Sequence, residues 1–220
     1  MAHLDEDIKR DVINQLRWDN RVDESNIRVD VKNGIVNLEG TVSSYAEQKA
    51  VDNDMWARPG IISYNNKLTV QYPTSVRIPT DDEIKHNVRE VISWNPNLDL
   101  TRMNISVKNG LVTIEGSIDS LWKKYAVEDL VSDVGGIAGI TNKLVVVPTQ
   151  DIVDKKIAQS IVSTLDRNAT VDVDSVNVTV DHGTVTLSGT VPNWAAFRAA
   201  REAVLYTAGA VDIKNNLSVA

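Results

Sequence analysis

Cysteine is absent from the 220-residue sequence, which excludes disulfide bonds, thiolate metal ligands and cysteine nucleophiles. Long apolar runs are absent as well, because no stretch approaches the roughly 18 apolar residues that a membrane-spanning helix needs. Basic residues are the minority charge, with 23 Lys and Arg against 30 Asp and Glu and a net charge of −7. This balance predicts no nucleic-acid partner, since such binding relies on basic side chains that neutralise phosphates.

The rest of the composition is that of a globular protein, with 42% apolar and 24% charged residues. The first residues, Met-Ala-His-Leu-Asp-Glu-Asp, are acidic and lead into no apolar segment. We therefore expect no secretory signal and a cytoplasmic protein. A periplasmic location is the alternative if a leader segment had been removed from before Met1.

One short pattern occurs three times, as NGIVNLEG at 33–40, NGLVTIEG at 109–116 and HGTVTLSG at 182–189. The residues around the pattern stay in step, and prolines between the copies disfavour a continuing helix or strand. We therefore expect three tandem domains of roughly 65 to 70 residues each. They are placed at 1–70, 80–147 and 150–220, with linkers at 71–79 and 148–149.

Hydrophobic periodicity changes in the same order within each repeat. Apolar residues first recur every four positions, which is typical of an amphipathic helix. These residues are Ile8, Val12 and Leu16, then Ile84, Val88 and Ile92, then Ile157, Ile161 and Leu165. Strict alternation at 27–31, 103–107 and 176–180 predicts a strand, and a second strand, a second helix and a closing strand follow. The predicted fold class is α+β, in which two helices cover one face of a small three-stranded mixed sheet in each αββαβ domain.

Several glycines are predicted to serve shape rather than chemistry. Asn-Gly suits a type I′ hairpin turn, in which both central residues take positive φ. Glycine at the end of the second strand indicates a bulge or the close approach of a covering helix. The turn and close-packing glycines are Gly34, Gly40, Gly110, Gly116, Gly183 and Gly189. A further glycine in each repeat is expected to end the second helix, namely Gly60, Gly136 and Gly209.

Helix starts are also marked locally. Thr80 and Glu83 have the spacing of a capping box before the first helix of the second repeat. Suitable caps precede the second helix of each repeat, at Ser44, Ser120 and Asn193, and Ser44 also has a glutamate three residues later. Acidic residues in the first helical turns are interpreted as solvated groups that favour the helix dipole.

Residues able to perform acid–base chemistry or to bind metal are scarce. The three histidines, His3, His86 and His182, fall at a terminus and at polar surface positions of the repeat. No set of nucleophile, base and orienting residue is apparent. The sequence therefore predicts no catalytic residues, no metal site, no cofactor and no enzymatic activity.

The repeated patterns resemble the BON domain, a family named for bacterial osmotically inducible and nodulation proteins, and in particular its OsmY-type members. The resemblance rests on 33–42, 109–118 and 182–191, and on the closing Gly-x-x-x-x-x-Asn-x-Leu-x-Val at 60–70 and its two equivalents. It implies non-catalytic modules that bind phospholipid or other ligands, often in the cell envelope and under osmotic stress. The family supplies no agreed catalytic residues.

Aromatic residues are the candidate contact sites. On the second helix, Trp56 and Tyr125 are expected to point outward, whereas Trp122 and Phe197 lie on its flanks and are weaker candidates. Trp18 and Trp94 share one column at the flank of the first helix, where the third repeat has arginine. These rings either pack against a neighbouring repeat, lie flat on the surface, or contact lipid or a protein partner.

Two hypotheses about function follow. In the first, the repeats bind a phospholipid surface or another ligand through weak sites that reinforce one another. In the second, the chain is a protein-interaction or scaffolding component of a stress response. Charge is acidic throughout, so a membrane contact would have to be largely apolar, bridged by a divalent ion or specific to a headgroup. Ligand identity and oligomeric state stay open at this point.

Overall fold

The computed structural model describes residues 5–55 and 60–219, in which the αββαβ order occurs three times. The helices are α1 (Asp5–Trp18), α2 (Tyr45–Met55), α3 (Asp81–Ser93), α4 (Leu121–Ser132), α5 (Asp154–Asp166) and α6 (Trp194–Leu205). The strands are β1 (Ile27–Lys32), β2 (Ile35–Val42), β3 (Ser63–Val70), β4 (Met103–Lys108), β5 (Leu111–Ile118), β6 (Gly139–Val146), β7 (Val176–Asp181), β8 (Thr184–Val191) and β9 (Asp212–Val219). We call the three αββαβ copies repeats 1, 2 and 3.

Each repeat has its own three-stranded sheet, and the second strand of the repeat lies in the middle. In repeat 1, β1 pairs with β2 antiparallel, with Val29 opposite Leu38, and β2 pairs with β3 parallel. The same two pairings join β7, β8 and β9 in repeat 3. The predicted α+β fold with mixed sheets is confirmed.

In repeats 1 and 3, the core lies between the sheet and its two helices. In repeat 1, α1 packs on β1, and α2 packs on β2 and β3; α5 and α6 do the same in repeat 3. All nine residues of the predicted first-helix stripes are buried. In the second helices, Val51, Val127 and Val204 are fully buried, whereas Ala126 and Ala199 are only half-buried.

Contacts divide the chain into two compact units, and the division falls inside repeat 2. The first unit contains residues 1–96, which are repeat 1, the first linker and α3, together with residues 104–114 and 128–142. The second contains 97–103, 115–127 and the chain from Lys143 onward.

Each hairpin turn is held by the first residue of the preceding helix. Asn33 and Gly34 have φ of 52° and 72°, as the predicted type I′ turn requires. Their amides donate to the two carboxylate oxygens of Asp5, at 2.8 and 2.9 Å. Asp81 and Asp154 bind the corresponding turns in the same way. These aspartates are therefore more than the solvated dipole caps that the sequence suggested.

The glycine predicted at the end of the second strand lies two residues before the end of that strand, and it is required by neighbouring backbone, not by a covering helix. A Cβ atom on Gly40 would lie 2.0 Å from the carbonyl oxygen of Asn26, in the short turn that precedes β1. Gly116 and Gly189 make the same approach, and all three have φ between 125° and 131°. The expected close approach is present, but the expected partner was wrong.

Helix caps follow the sequence in part. Thr80 and Glu83 form the predicted capping box, and Asn193 accepts from the Ala196 amide at 2.9 Å. Ser44 accepts from the Glu47 amide at 3.1 Å, but the Glu47 carboxylate bonds other groups. The Ser120 hydroxyl donates to Asp119 at 2.6 Å.

In repeats 2 and 3, the second helix ends earlier than its glycine indicated. α4 stops at Ser132 and α6 at Leu205, and Gly136 and Gly209 lie beyond a further turn with φ of 90° and 88°. In repeat 1, residues 56–59 lie outside the described part of the chain. The glycines therefore shape the approach to the third strand, which begins within four residues of each of them. Positive φ at this point reverses the chain direction before the strand.

Candidate functional site

Chemistry-bearing residues do not converge in the part of the chain that the structure describes. In residues 5–55 and 60–219, no group of three or more His, Asp or Glu side chains could hold a metal ion. His182 lies in an exposed turn with Nδ1 2.8 Å from Asp181, and His86 is also exposed. His3 lies outside the described residues. Among the described helices, none combines the length and apolarity that a membrane crossing needs.

Buried acidic side chains in repeat 1 serve the fold. Glu47 is buried, and its carboxylate accepts from the backbone amides of Asp23 and Ser43, each at 2.7 Å. Burial raises the pKa of Asp52, against the lowering effect of the hydrogen bond from Asn66 Nδ2 at 2.8 Å. Both carboxylates bind groups of their own repeat, so we assign them structural roles.

Two tryptophans stand out on the surface of the first helices. Trp18 ends α1 and is 81% exposed, and Trp94 follows α3 and is 75% exposed. They occupy the same place in repeats 1 and 2, and Arg167 occupies it in repeat 3. The sequence identified the shared column, and the structure adds that both indoles project into solvent. An indole this exposed is unusual for so large an apolar group.

The second-helix aromatics have different surroundings. In the second unit, the Arg201 guanidinium lies 4.7 Å from the ring centroid of Tyr125, so this ring packs against the neighbouring repeat. Phe197 is only 8% exposed and meets Trp194 edge to face at 4.9 Å between centroids. Its expected place on an accessible flank was therefore wrong, because α6 turns this ring into the interior. Trp56 lies outside the described residues.

Trp122 lines a cleft in the second unit. The cleft has a volume of about 240 Å³ and is also lined by Tyr206, Pro148 and Ile152. Tyr206 is 72% exposed, and Trp122 is half-buried with Lys123 Nζ 5.7 Å from its ring centroid. Two aromatic rings and a proline thus face one opening, which is a lining suited to an apolar or aromatic group.

A second groove adjoins this cleft. Its volume is about 600 Å³, and it shares Pro148, Ile152 and Gly209 with the cleft. The groove extends to Asp151 and to the hairpin turn at Gly183. We call the cleft and the groove together the repeat 3 groove.

The acidic rim of the cleft is held by an ion pair. Asp119 Oδ2 lies 2.8 Å from Lys123 Nζ, and its Oδ1 accepts from the Ser120 hydroxyl. The hydrogen bond from Lys123 is the main reason that the pKa of Asp119 lies below its ordinary value. Asp119 is therefore a charged acceptor at the mouth of the cleft near neutral pH.

Sequence reasoning missed two tyrosines. Tyr206 follows α6 directly, at a place where the other repeats have no aromatic residue. Tyr72 lies in the first linker, and its hydroxyl accepts from the Gly136 amide at 2.9 Å and donates to the Ile137 carbonyl at 3.0 Å. Neither belongs to a repeating column, so periodicity gave no signal for them. A search for aromatic residues in the linkers would have found Tyr72.

The glycines assigned to shape are accounted for by the turns and close approaches described above. Gly34, Gly110 and Gly183 have φ between 72° and 74°. Their carbonyls accept hydrogen bonds from the amides of Ile62, Ala138 and Val211, respectively, just before the third strand of each repeat. They shape the hairpin turn, and Gly183 also lines the repeat 3 groove.

Comparison with known proteins gives one informative match. The family model of the BON domain matches residues 4–72, 80–148 and 153–220. No curated protein matches the chain.

Two solved structures of CdsD, a structural protein of the type III secretion system of Chlamydia trachomatis, are similar to it at 15% and 16% identity. The matches cover 96% and 97% of this chain and 91% and 96% of theirs, with TM-scores of 0.28 and 0.27. Likeness at this level carries no argument about fold or function. The three family matches span nearly the whole chain, one on each αββαβ repeat, and the protein therefore belongs to the BON domain family.

Proposed function

We propose that this protein is a non-catalytic binding protein of a bacterial envelope or stress response, and that it attaches to phospholipid surfaces through Trp18 and Trp94. The observation that carries the proposal is the 81% and 75% exposure of these two indoles at one place in two repeats. Tryptophan is favoured at the boundary between water and lipid, because its ring is apolar and its N–H can bond a polar headgroup.

Two weak anchors on one chain act together. Once the first indole has entered the interface, the second meets the surface at a high effective concentration. Each indole offers about 150–250 Å² of surface for burial, at about 25 cal/mol per Å² of apolar area. Partial insertion of both rings is therefore sufficient for reversible attachment without a membrane-spanning segment.

Charge contributes little to this attachment. The net charge is −7, and the arginines beside Trp18 are already paired. Arg17 lies 3.0 Å from Glu24, and Arg21 bonds the buried carboxylate of Asp19. We therefore expect binding that depends weakly on salt and is not abolished when anionic lipid is replaced by zwitterionic lipid.

Vesicle co-sedimentation tests the proposal. Wild type, Trp18→Ala/Trp94→Ala and Trp122→Ala are mixed with phosphatidylcholine vesicles and with vesicles containing phosphatidylglycerol. The double variant should partition about tenfold more weakly, because it loses most of the apolar area offered to the interface. The Trp122→Ala control removes one half-buried tryptophan and should bind as wild type.

A fluorescence measurement keeps the outcome clear. Brominated acyl chains should quench the tryptophan emission of wild type and leave that of the double variant unchanged. Equal partitioning of wild type and the double variant, or binding that disappears in the Trp122→Ala protein, would overturn the proposal.

Protein interaction is the second candidate function. The observation that favours it is the repeat 3 groove, in which Trp122, Tyr206 and Pro148 face a common opening. Exposed aromatic rings around a cleft are typical of sites that receive a partner side chain.

A further inference from the structure

Tyr72 shows how one repeat of this chain receives a tyrosine from an extended segment. In the first unit, the loop between α4 and β6 presents the Gly136 amide and the Ile137 carbonyl to the Tyr72 hydroxyl, at 2.9 and 3.0 Å. The hydroxyl accepts one bond and donates the other, so both of its roles are used. The hydroxyl is protonated at neutral pH, and because burial raises the pKa of Tyr72, it stays a donor in more alkaline solution as well.

Repeat 3 builds the same loop. Gly209 has φ of 88°, against 90° for Gly136, and the Val211 amide bonds the hairpin carbonyl at 2.9 Å as the Ala138 amide does in repeat 2. In the part of the chain that the structure describes, no side chain bonds the Gly209 amide or the Ala210 carbonyl. Both of these residues line the repeat 3 groove.

The second linker explains why this loop is open. Tyr72 lies two residues after the end of β3, and Pro148 lies two residues after the end of β6. Pro148 lines both parts of the repeat 3 groove, but it has no hydroxyl with which to bridge the loop. The groove therefore contains the acceptor and donor that bind Tyr72 in repeat 2, without the tyrosine.

We infer that the repeat 3 groove binds a tyrosine in an extended segment of a partner protein, in the way that Tyr72 binds repeat 2. The ring would lie between Pro148 and Ile152, and its hydroxyl would bridge the Gly209 amide and the Ala210 carbonyl. Asp151 and Asp154 line the groove, whereas the described lining residues include no Lys or Arg. A neutral or basic partner segment fits this charge. The linker that carries Tyr72 also contains a basic residue, Arg77.

Peptide titration followed by NMR of the full chain tests the inference. The probe is a synthetic peptide with the sequence of residues 70–78, and the comparison peptides carry Phe or Ala in place of the tyrosine. The tyrosine peptide should shift the Gly209 and Gly183 amide signals at millimolar concentration. The Phe peptide should bind about tenfold more weakly, since it leaves the loop groups without their hydroxyl.

Two pairs of protein variants locate the site. In wild type, Tyr72 occupies the repeat 2 loop at high effective concentration, so one peptide should bind per chain. In Tyr72→Ala, two peptides should bind per chain, and the Gly136 amide signal should also shift. Val211→Glu places a charge in the groove and should abolish the Gly209 shift. Ala138→Glu is the equivalent change in repeat 2 and should leave that shift intact.

Three results would overturn the inference. One is a Gly209 signal that does not move in wild type, either at the peptide concentration that moves the Gly136 signal in Tyr72→Ala or at millimolar peptide. Another is equal affinity for the Tyr and Phe peptides. The third is retention of peptide binding in a folded Val211→Glu protein.

Discussion

The glycine two residues before the end of each second strand places its α-carbon directly against a backbone carbonyl. A Cβ on Gly116 would lie 2.0 Å from the Arg102 oxygen, at a φ of 130° that side chains rarely adopt. Gly135, in the same repeat, offers a matched comparison, because a Cβ added there would meet no atom within 4 Å. The two glycines differ in their surroundings, whereas the chemical change to alanine is the same.

Gly116→Ala should therefore destabilise the sheet of repeat 2 by about 2 kcal/mol or more, through backbone strain and steric overlap. Gly135→Ala should change stability by no more than about 0.5 kcal/mol. Hydrogen exchange of the β5 amides in the two variants measures both effects. Similar exchange rates in Gly116→Ala and Gly135→Ala would show that the close approach relaxes at little cost.

Two aspartates should titrate on opposite sides of the ordinary value of 3.8. The pKa of Asp119 is lowered chiefly by the hydrogen bond from Lys123, and the pKa of Asp52 is raised by burial. Asp119 therefore contributes stability above its unfolded pKa, and this contribution is lost as pH falls through its lower folded pKa. Asp52 has the opposite sign, because its protonation at low pH favours the folded state.

Carboxyl ¹³C NMR should resolve both midpoints. Lys123→Met should raise the pKa of Asp119 towards its ordinary value, because it removes the principal donor. The midpoint of Asp52 serves as the internal control and should not move. An Asp119 midpoint that is unchanged in Lys123→Met would assign the lowered pKa to Ser120 instead.

At the residue scale, the sequence predicted which residue types share a position in the repeats better than it predicted the exposure of their side chains. Trp18 and Trp94 were placed in one column, but the period of a helix does not determine how far its end projects beyond the domain. Phe197 was placed on a flank, yet it is only 8% exposed, and α6 contacts α5 as well as β8 and β9. Exposure depends on which elements pack together, and a single helix does not contain that information.

At the scale of elements, the first helix and the hairpin of each repeat are joined by one carboxylate. Asp81 accepts from the amides of Asn109 and Gly110, at 2.8 and 2.9 Å. The contact connects residues that are 28 and 29 positions apart, and it fixes the turn against the start of the helix. Asp5 and Asp154 show that this connection belongs to the repeat and not to one domain.

Asp81→Ala should destabilise repeat 2 by about 1–2 kcal/mol more than Asp82→Ala does. Both changes remove one negative charge from the first turn of α3, so their effects on the helix dipole are similar. Only Asp81 bonds the turn amides. Urea unfolding of both variants measures the difference. Equal stabilities would show that Asp81 acts only through the helix dipole.

The sequence predicted the hairpin, the helix and their order, but not this connection. Asn-Gly and His-Gly mark the turns through their own backbone preferences, which are local. An aspartate at the start of a helix has an equally local explanation as a dipole cap. Its bond to a distant turn arises only when the helix lies across the hairpin, so no short-range pattern reveals it.

At the scale of the whole chain, the contacts between repeats within each unit include charged side chains. In the first unit, Lys49 of α2 forms an ion pair with Asp129 of α4. In the second unit, the guanidinium of Arg201 lies over the ring of Tyr125. The partly exposed ion pair is expected to contribute little, because exposed pairs are screened by water.

A double-mutant cycle measures the second contact. Arg201→Ala and Tyr125→Ala should each destabilise the second unit slightly, with a coupling energy of about 0.5–1 kcal/mol between them. Arg198→Ala with Tyr125→Ala is the control, since Arg198 is exposed on the same helix. A coupling of zero for the Arg201 pair would mean that this contact does not hold the two repeats together.

The sequence by itself determined the three copies, the order of their elements, the core stripes and the hairpin turns. Each of these follows from periodicity or from the backbone preference of a few neighbouring residues. Tertiary structure alone decided which backbone approaches Gly40, which carboxylate holds each turn, and that Tyr72 fills a loop of repeat 2 while the loop of repeat 3 stays open. These features join residues far apart in the chain, and their energies depend on distances that exist only after the elements have packed.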